Sequence, residues 1–252
     1  HFLQIVWGRY FFMLVISIPL AFIFFRKELK FPKSLSVQLW RSFFLFLSTV
    51  FFFYAISIIS LAEALTLAFV SPIIVTVLSI FYLKEKVGIH RWLAVFLGFF
   101  GVLIIIRPGF IDLNFASLSA LLAGISYAFY ILYTRKLSFT DSAFVTLIFT
   151  GSIGFLIISL IVPLVWINLS LQQVLFLILL ASIGTVGHFL IILSLRFGEA
   201  SKLAPLGYFE ISTNILVGYV FFDDLPDIWI YLGLLLIVMS GIYIFIRENR
   251  KT

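Results

Sequence analysis

Nine long apolar runs, each closed by a short polar break, set the pattern of this 252-residue chain. They cover residues 5–25, 39–58, 64–83, 92–106, 116–134, 143–165, 174–193, 203–222 and 228–246. Most approach the ~20 residues that a helix rising ~1.5 Å per residue needs to cross ~30 Å of hydrocarbon. The run at 92–106 is short and reaches that length only if it starts near Ile89. Apolar positions follow one another without alternation, which argues against barrel strands. The pattern predicts a polytopic bundle of membrane-crossing helices.

Composition agrees. The chain is 63% hydrophobic and 11% charged, with 32 phenylalanines, far too little charge to cover a soluble domain of this length. Without cysteine it has neither disulfides nor a thiolate zinc site. A formal charge of +6 would suit nucleic acid in a soluble protein. In a membrane protein basic residues collect in loops on one side, so no nucleic-acid partner is expected. Placing the C-terminus inside puts Arg26, Lys27, Lys30, Lys33, Arg41, Lys84, Lys86, Arg91, Arg135, Lys136, Arg196, Lys202 and the tail bases inside. Only Arg9 and Arg107 of the 17 basic residues then fall outside. The acidic stretch "FFDDLPD" (221–227) also lies outside.

One phrase is written twice: "LAEALTLAFVSPI" (61–73) and "FGEASKLAPLGYF" (197–209). Glu63 and Glu199 match, and Ala68 falls in step with Ala204. The two copies also end alike, in "FGVLIIIRPG" (100–109) and "SGIYIFIREN" (240–249). Glu63 lies in an outside break and Glu199 in an inside one, so the copies are inverted, as five-helix repeats must be. The second copy has five runs and the first only four, and the chain starts at His1 almost directly in a span. The expectation is a ten-helix protein whose first helix is missing, with a first repeat over 1–109 and a second over 114–249. Inverted repeats are a device of secondary transporters.

The segments 62–109 and 187–248 resemble the two EamA repeats of the drug/metabolite transporter superfamily. The resemblance implies an all-α integral membrane protein of two inverted EamA repeats, with nine helices present of ten. It further implies an inner-membrane carrier of small organic metabolites that uses no bound cofactor. One branch of that family takes up S-adenosylmethionine and others carry amino acids or drugs, so the resemblance fixes no substrate. The C-terminus is expected in the cytoplasm of a bacterium, and a homodimer is among the arrangements the sequence allows.

Glu210 is the sharpest site residue, roughly 10 Å into the run at 203–222 at ~1.5 Å per residue. An acid facing lipid at that depth costs at least ~2.5–3.5 kcal/mol, so it must face a cavity or a partner. Gly207, Glu210, Asn214 and Gly218 recur at helical spacing and form one small, polar stripe. The bland alternative is an interhelical hydrogen bond. Glu63 and Glu199 read as helix caps, the former in a Ser60–Glu63 capping box. Ser71 and Pro72 break the matching helix of the first copy, which frees carbonyls for a ligand or merely kinks it. His188 relays protons, binds an anionic group or bonds a neighbouring helix. Arg9 either snorkels or attracts a substrate carboxylate. Tyr54, Tyr127 and Tyr130 offer faces for an aromatic or cationic solute, or else pack.

Two other classes compete. "DDLPD" (223–227) has the D-D-x-x-D spacing with which prenyl-transferring enzymes hold Mg²⁺ and a diphosphate. Such enzymes need a second acidic cluster, and none exists; nor is there an H-E-x-x-H or G-x-S-x-G motif. No catalytic and no metal-ligating residue is therefore assigned. A non-transporting receptor or scaffold is the other alternative. The expected function is secondary transport of a small metabolite through the lipid bilayer by alternating access.

Overall fold

The computed structural model describes residues 1–59, 61–106, 114–222 and 228–249, with the side chains of 62–63, 106, 214–215, 217–219, 221–222, 244–245 and 248–249 outside that description. The described residues are helical throughout, joined by short turns. Eleven α-helices follow in order: α1 Phe2–Phe24, α2 Leu35–Ile56, α3 Leu61–Ala68, α4 Ser71–Leu78, α5 Ile89–Ile106, α6 Phe115–Leu137, α7 Ala143–Ser159, α8 Leu171–Phe197, α9 Ala200–Leu203, α10 Phe209–Phe222 and α11 Ile228–Asn249. They account for the nine apolar runs, because two runs are each broken into two helices. α5 does start at Ile89, as its length requires. The run at 143–165 is shortened: α7 stops at Ser159, and Pro163 sits in a 3₁₀ turn, Val162–Val165, where its missing N–H costs nothing. Asn114, Ser142 and Ser170 cap α6, α7 and α8 by accepting backbone N–H groups of the first turn.

Polar contacts between loops fix which ends of the helices lie together. The Lys33 N–H donates to Asp141 Oδ1 at 3.1 Å, and Arg196 Nε donates to the Ser138 carbonyl at 3.2 Å. The Glu85 carboxylate accepts the N–H groups of Ala200 and Ser201 at 2.9 and 3.0 Å. His90 at the start of α5 bonds Tyr243 near the end of α11. The turns before α2, before α5, after α6 and after α8 therefore gather at one end of the bundle, here the basic end. At the opposite end Gln4 Nε2 donates to the Ile167 carbonyl at 2.7 Å. α2 starts at the basic end and carries the chain ~33 Å away over its 22 residues. The Glu63 backbone, just beyond it, thus lies at the opposite end, and Glu199 at the basic end.

Packing is made close by small residues where helices cross. A Cβ on Gly101 of α5 would stand 2.8 Å from the Gly233 carbonyl, and one on Gly233 of α11 2.6 Å from the Gly101 carbonyl. These two helices thus run against each other backbone to backbone. α1, α7 and α8 enclose a core of Val6, Tyr10, Met13, Leu147, Ile158 and Ile192, joined by Phe46 of α2. Elsewhere apolar side chains point outward, as on α8, where Phe176, Leu179, Ile183, Val186 and Leu190 are all exposed. In lipid that surface needs no cover. Among the described residues, five helical runs are long and apolar enough to cross a membrane, the interrupted run Ala64–Leu83 among them.

The chain lacks cysteine, so single cysteines report sidedness without background. In oriented vesicles, Lys30→Cys and Phe139→Cys should react with an impermeant maleimide from one side and Leu169→Cys from the other. Labelling of all three from the same side would contradict the arrangement of ends.

Candidate functional site

Two runs fail to form continuous helices, and they fail at the same register. In the first, α3 ends at Ala68 and α4 restarts at Ser71 with Pro72 in its first turn. In the second, α9 ends at Leu203, Pro205 enters a 3₁₀ turn over Ala204–Tyr208, and α10 restarts at Phe209. In the Glu63/Glu199 register Ala68 corresponds to Ala204 and Ser71 to Gly207. A proline at N2 lacks an N–H where none would be paired, yet it cannot extend the preceding helix. Inside a membrane such unwound backbone persists only in protein or beside a cavity. Both breaks lie beside one.

A cavity of about 440 Å³ is lined by the first break with its flanking α3 and α4, by Glu210 just past the second break, and by α1, α2, α6 and α8. Arg9, Ser48, Thr49, Tyr127, His188 and Glu210 supply its polar groups, and Phe52, Phe53 and Phe69 its aromatic ones. A second space of about 420 Å³, between the first and the basic end, is lined by Pro72, Ser194, Ala200, Leu203, Ala204 and Gly207. Phe69, Ser71, Tyr127, Ile191 and Glu210 belong to both, so the carboxylate of Glu210 stands at their junction. At Gly187 a Cβ would meet nothing within 4 Å, and at Gly184 only Arg9 Nε at 3.8 Å. These two glycines of α8 keep the wall beside Arg9 and His188 open.

The cavity wall is backed by a chain of polar groups. Arg9 Nη2 lies 2.6 Å from His188 Nε2, and His188 Nδ1 lies 3.2 Å from the Tyr130 hydroxyl. Behind Tyr130 the Arg41 guanidinium stacks over the ring at 4.7 Å. Arg41 is fully buried; its Nε donates to Thr134 Oγ1 at 2.8 Å and its Nη1 to the Thr146 carbonyl and Thr150 Oγ1. Among the described residues no carboxylate pairs with Arg9 or Arg41. One turn away, Gln38 Nε2 donates to Asp141 Oδ2 at 2.8 Å and to Thr146 Oγ1 at 3.0 Å, tying this layer to the basic end.

The structure brings Glu210, His188, Ser71, Tyr127 and Arg9 to the same cavity and Pro72 to its neighbour. Several expectations need correction. Glu210 is not a third of the way along a continuous helix but the second residue of α10, so Gly207 lies in the preceding 3₁₀ turn and not on its stripe. Asn214 falls outside the described side chains, as do Glu63 with its Ser60 capping box and the Asp223–Asp227 segment. Glu199 occupies the N-cap position of α9 but does not cap it. Its carboxylate is drawn to Arg91 Nη1 at 2.5 Å, and Glu85 takes the α9 N–H groups instead. Arg9 does not snorkel, because His188 holds it inside the bundle. Tyr130 is fully buried behind the wall, and Tyr54 packs on the Phe2 ring at 5.8 Å, away from both spaces. Arg41, counted above with the loop bases, sits two turns inside α2. The hydrogen-bond partners of Arg9 and Arg41 lie 179 and 93 or more residues away along the chain, beyond the reach of local pattern.

Known proteins resemble the chain over nearly its full length. Residues 1–107 and 114–246 match the EamA-like transporter family. An S-adenosylmethionine uptake transporter of Rickettsia bellii is 25% identical over 99% of this chain and 86% of its own length. A riboflavin transporter of Vibrio cholerae is 30% identical over 75% of this chain and 64% of its own. A protein of known crystal structure shares the fold with a TM-score of 0.79 at 18% identity, over 99% of this chain and 88% of that one.

The glycine geometry separates cavity from contact. Gly187→Leu meets no obstacle and should leave the unfolding midpoint in detergent within ~2 °C of wild type. Gly124→Leu places its Cβ 2.5 Å from the Ala68 carbonyl and should destabilise the fold. Overpacking of this kind costs about 1–3 kcal/mol. Equal effects of the two substitutions on thermal unfolding would contradict the assignment of these walls.

Proposed function

The chain belongs to the EamA-like transporter family, and from that premise we propose that it carries a small zwitterionic metabolite across the bacterial inner membrane by alternating access. It is a multi-pass membrane transporter and not an enzyme. The observation that carries the finer reading is one cavity with a fixed cation, Arg9, and a carboxylate, Glu210, among aromatic rings. Arg9 suits a substrate carboxylate. Glu210 suits a substrate ammonium or sulfonium group, and Phe52, Phe53, Phe69 and Tyr127 suit a flat ring. S-adenosylmethionine has all three parts, and relatives that match 99–100% of this chain carry its name.

In this reading α3–α4 and α9–α10 are the elements that change access. Each is hinged at its break, and the Glu85, Arg91 and Glu199 contacts are the ones that would part when the basic end opens. The positive-inside rule puts that end, with Lys30, Lys84, Lys136 and the C-terminus, in the cytoplasm. The carrier is a secondary one: the cavity holds the solute, and ion or solute gradients move it.

Glu210→Gln keeps the shape of the side chain and removes its charge. In proteoliposomes holding equal amounts of protein, wild type should accumulate labelled S-adenosylmethionine, and the variant should lose at least ~10-fold of the initial rate, about 1.4 kcal/mol. Unchanged uptake by the variant would leave Glu210 a structural group. Uptake of riboflavin but not S-adenosylmethionine would overturn the zwitterion reading.

A further inference from the structure

We propose that Arg9 and His188 form a carboxylate-and-proton subsite, in which a bound carboxylate takes Arg9 from His188 and His188 then takes up a proton. The proposal rests on the cavity being the substrate site. Its basis is the direction of each hydrogen bond. A guanidinium only donates, so the 2.6 Å contact from Arg9 Nη2 requires His188 Nε2 to carry no hydrogen. The imidazole is then neutral with its one hydrogen on Nδ1, which donates to the Tyr130 hydroxyl at 3.2 Å. The Arg9 contact from α1 thus sets the tautomer.

A carboxylate entering beside Gly184 and Gly187 reverses that requirement. It accepts the Arg9 N–H, which breaks the Arg9–His188 bond and leaves Nε2 with a free lone pair facing an anion. A proton taken up from bulk solution adds to that lone pair, and the new Nε2–H donates to the other carboxylate oxygen. One negative charge and one positive charge enter together, so the site's net charge is unchanged. Without the anion, a charged His188 would face Arg9 with no acceptor between them, with Arg41 behind.

The ionisable groups that face His188 are few. They are Arg9 and Tyr10 from α1, Arg41 from α2, Tyr127 and Tyr130 from α6, and Glu210 across the cavity from α10. α7, which also packs on α8, has none. The tyrosines are uncharged at neutral pH. Glu210 is a second group able to exchange a proton, so a count of protons taken up from solution would mix the two, and the test must read the histidine itself.

The chain has three histidines, His1, His90 and His188, so nitrogen-15 spectra of histidine-labelled full-length protein in nanodiscs contain three pairs of ring signals. His188→Gln, whose Oε1 still accepts from Arg9, assigns the His188 pair by its loss. At pH 7 without ligand that pair should show protonated Nδ1 and bare Nε2. With saturating S-adenosylmethionine it should show both nitrogens protonated. A His188 that stays neutral while the ligand is bound, or is charged without it, would overturn the proposal. Binding is read separately, by the rise in unfolding midpoint; no rise would overturn the reading of the cavity and this subsite with it. Riboflavin, which has no carboxylate, should leave the His188 signals unprotonated at Nε2 if it binds.

Discussion

No water reaches hydrocarbon, so each polar group within a membrane bundle must find its partner inside the protein. The guanidinium of Arg41 is where that constraint presses hardest. Removing an ion of this kind from water costs several kcal/mol even after relaxation, and no carboxylate among the described residues offsets it. The compensation is assembled from neutral groups: the ring of Tyr130, the hydroxyls of Thr134 and Thr150 and a carbonyl of α7. A desolvated cation–π contact contributes about 2 kcal/mol and each hydrogen bond to a charged group about 1.5–3 kcal/mol. Each partner comes from a different turn of α6 or α7, so α2, α6 and α7 are held in a single register. Tyr130, fixed in this way, fixes His188, and His188 fixes Arg9 at the cavity wall.

The cavity itself follows from two interruptions of helix. α3 and α9 stop at nearly corresponding positions, with Pro72 and Pro205 beside the breaks, and the small residues Ser71 and Gly207 leave space where a continuous helix would have filled it. The packed neighbours show the contrast. At Gly101 and Gly233, and at Gly124 against Ala68, small residues bring backbones into contact. At Gly184 and Gly187 they leave the wall open. The same residue type makes close seams on one helix pair and an open cavity wall on another, and which it does depends on the neighbour that the fold brings up.

The sequence made the spans legible because lipid imposes one simple rule on every residue of a helix surface, and nine runs obey it. The inverted phrase around Glu63 and Glu199 likewise pointed to the broken helices, through Ser71 and Pro72. Glu210 stood out because an acid in an apolar run has no cheap explanation. Other features were not legible, for reasons of distance and geometry. Arg41 is three residues into its apolar run and reads like the loop bases before it; only Thr134, Thr146 and Thr150 reveal otherwise, and they are brought to it by tertiary packing. Glu199 has the place of a cap, but Arg91 competes for its carboxylate, and Glu85, from a turn shaped by the left-handed Lys84 (φ 56°), takes the vacated role. Local sequence names a capping position; it does not say which of two carboxylates arrives there.

Whether Arg9 and Glu210 are the two poles of one substrate site is tested most directly by an experimental structure of the protein in a nanodisc with S-adenosylmethionine. The ligand carboxylate is expected within ~3 Å of Arg9, the usual distance of a charge-assisted hydrogen bond. The sulfonium or ammonium should face Glu210, with the purine among Phe52, Phe53, Phe69 and Tyr127. Ligand density elsewhere, or in the cavity with its carboxylate turned away from Arg9, would contradict that reading.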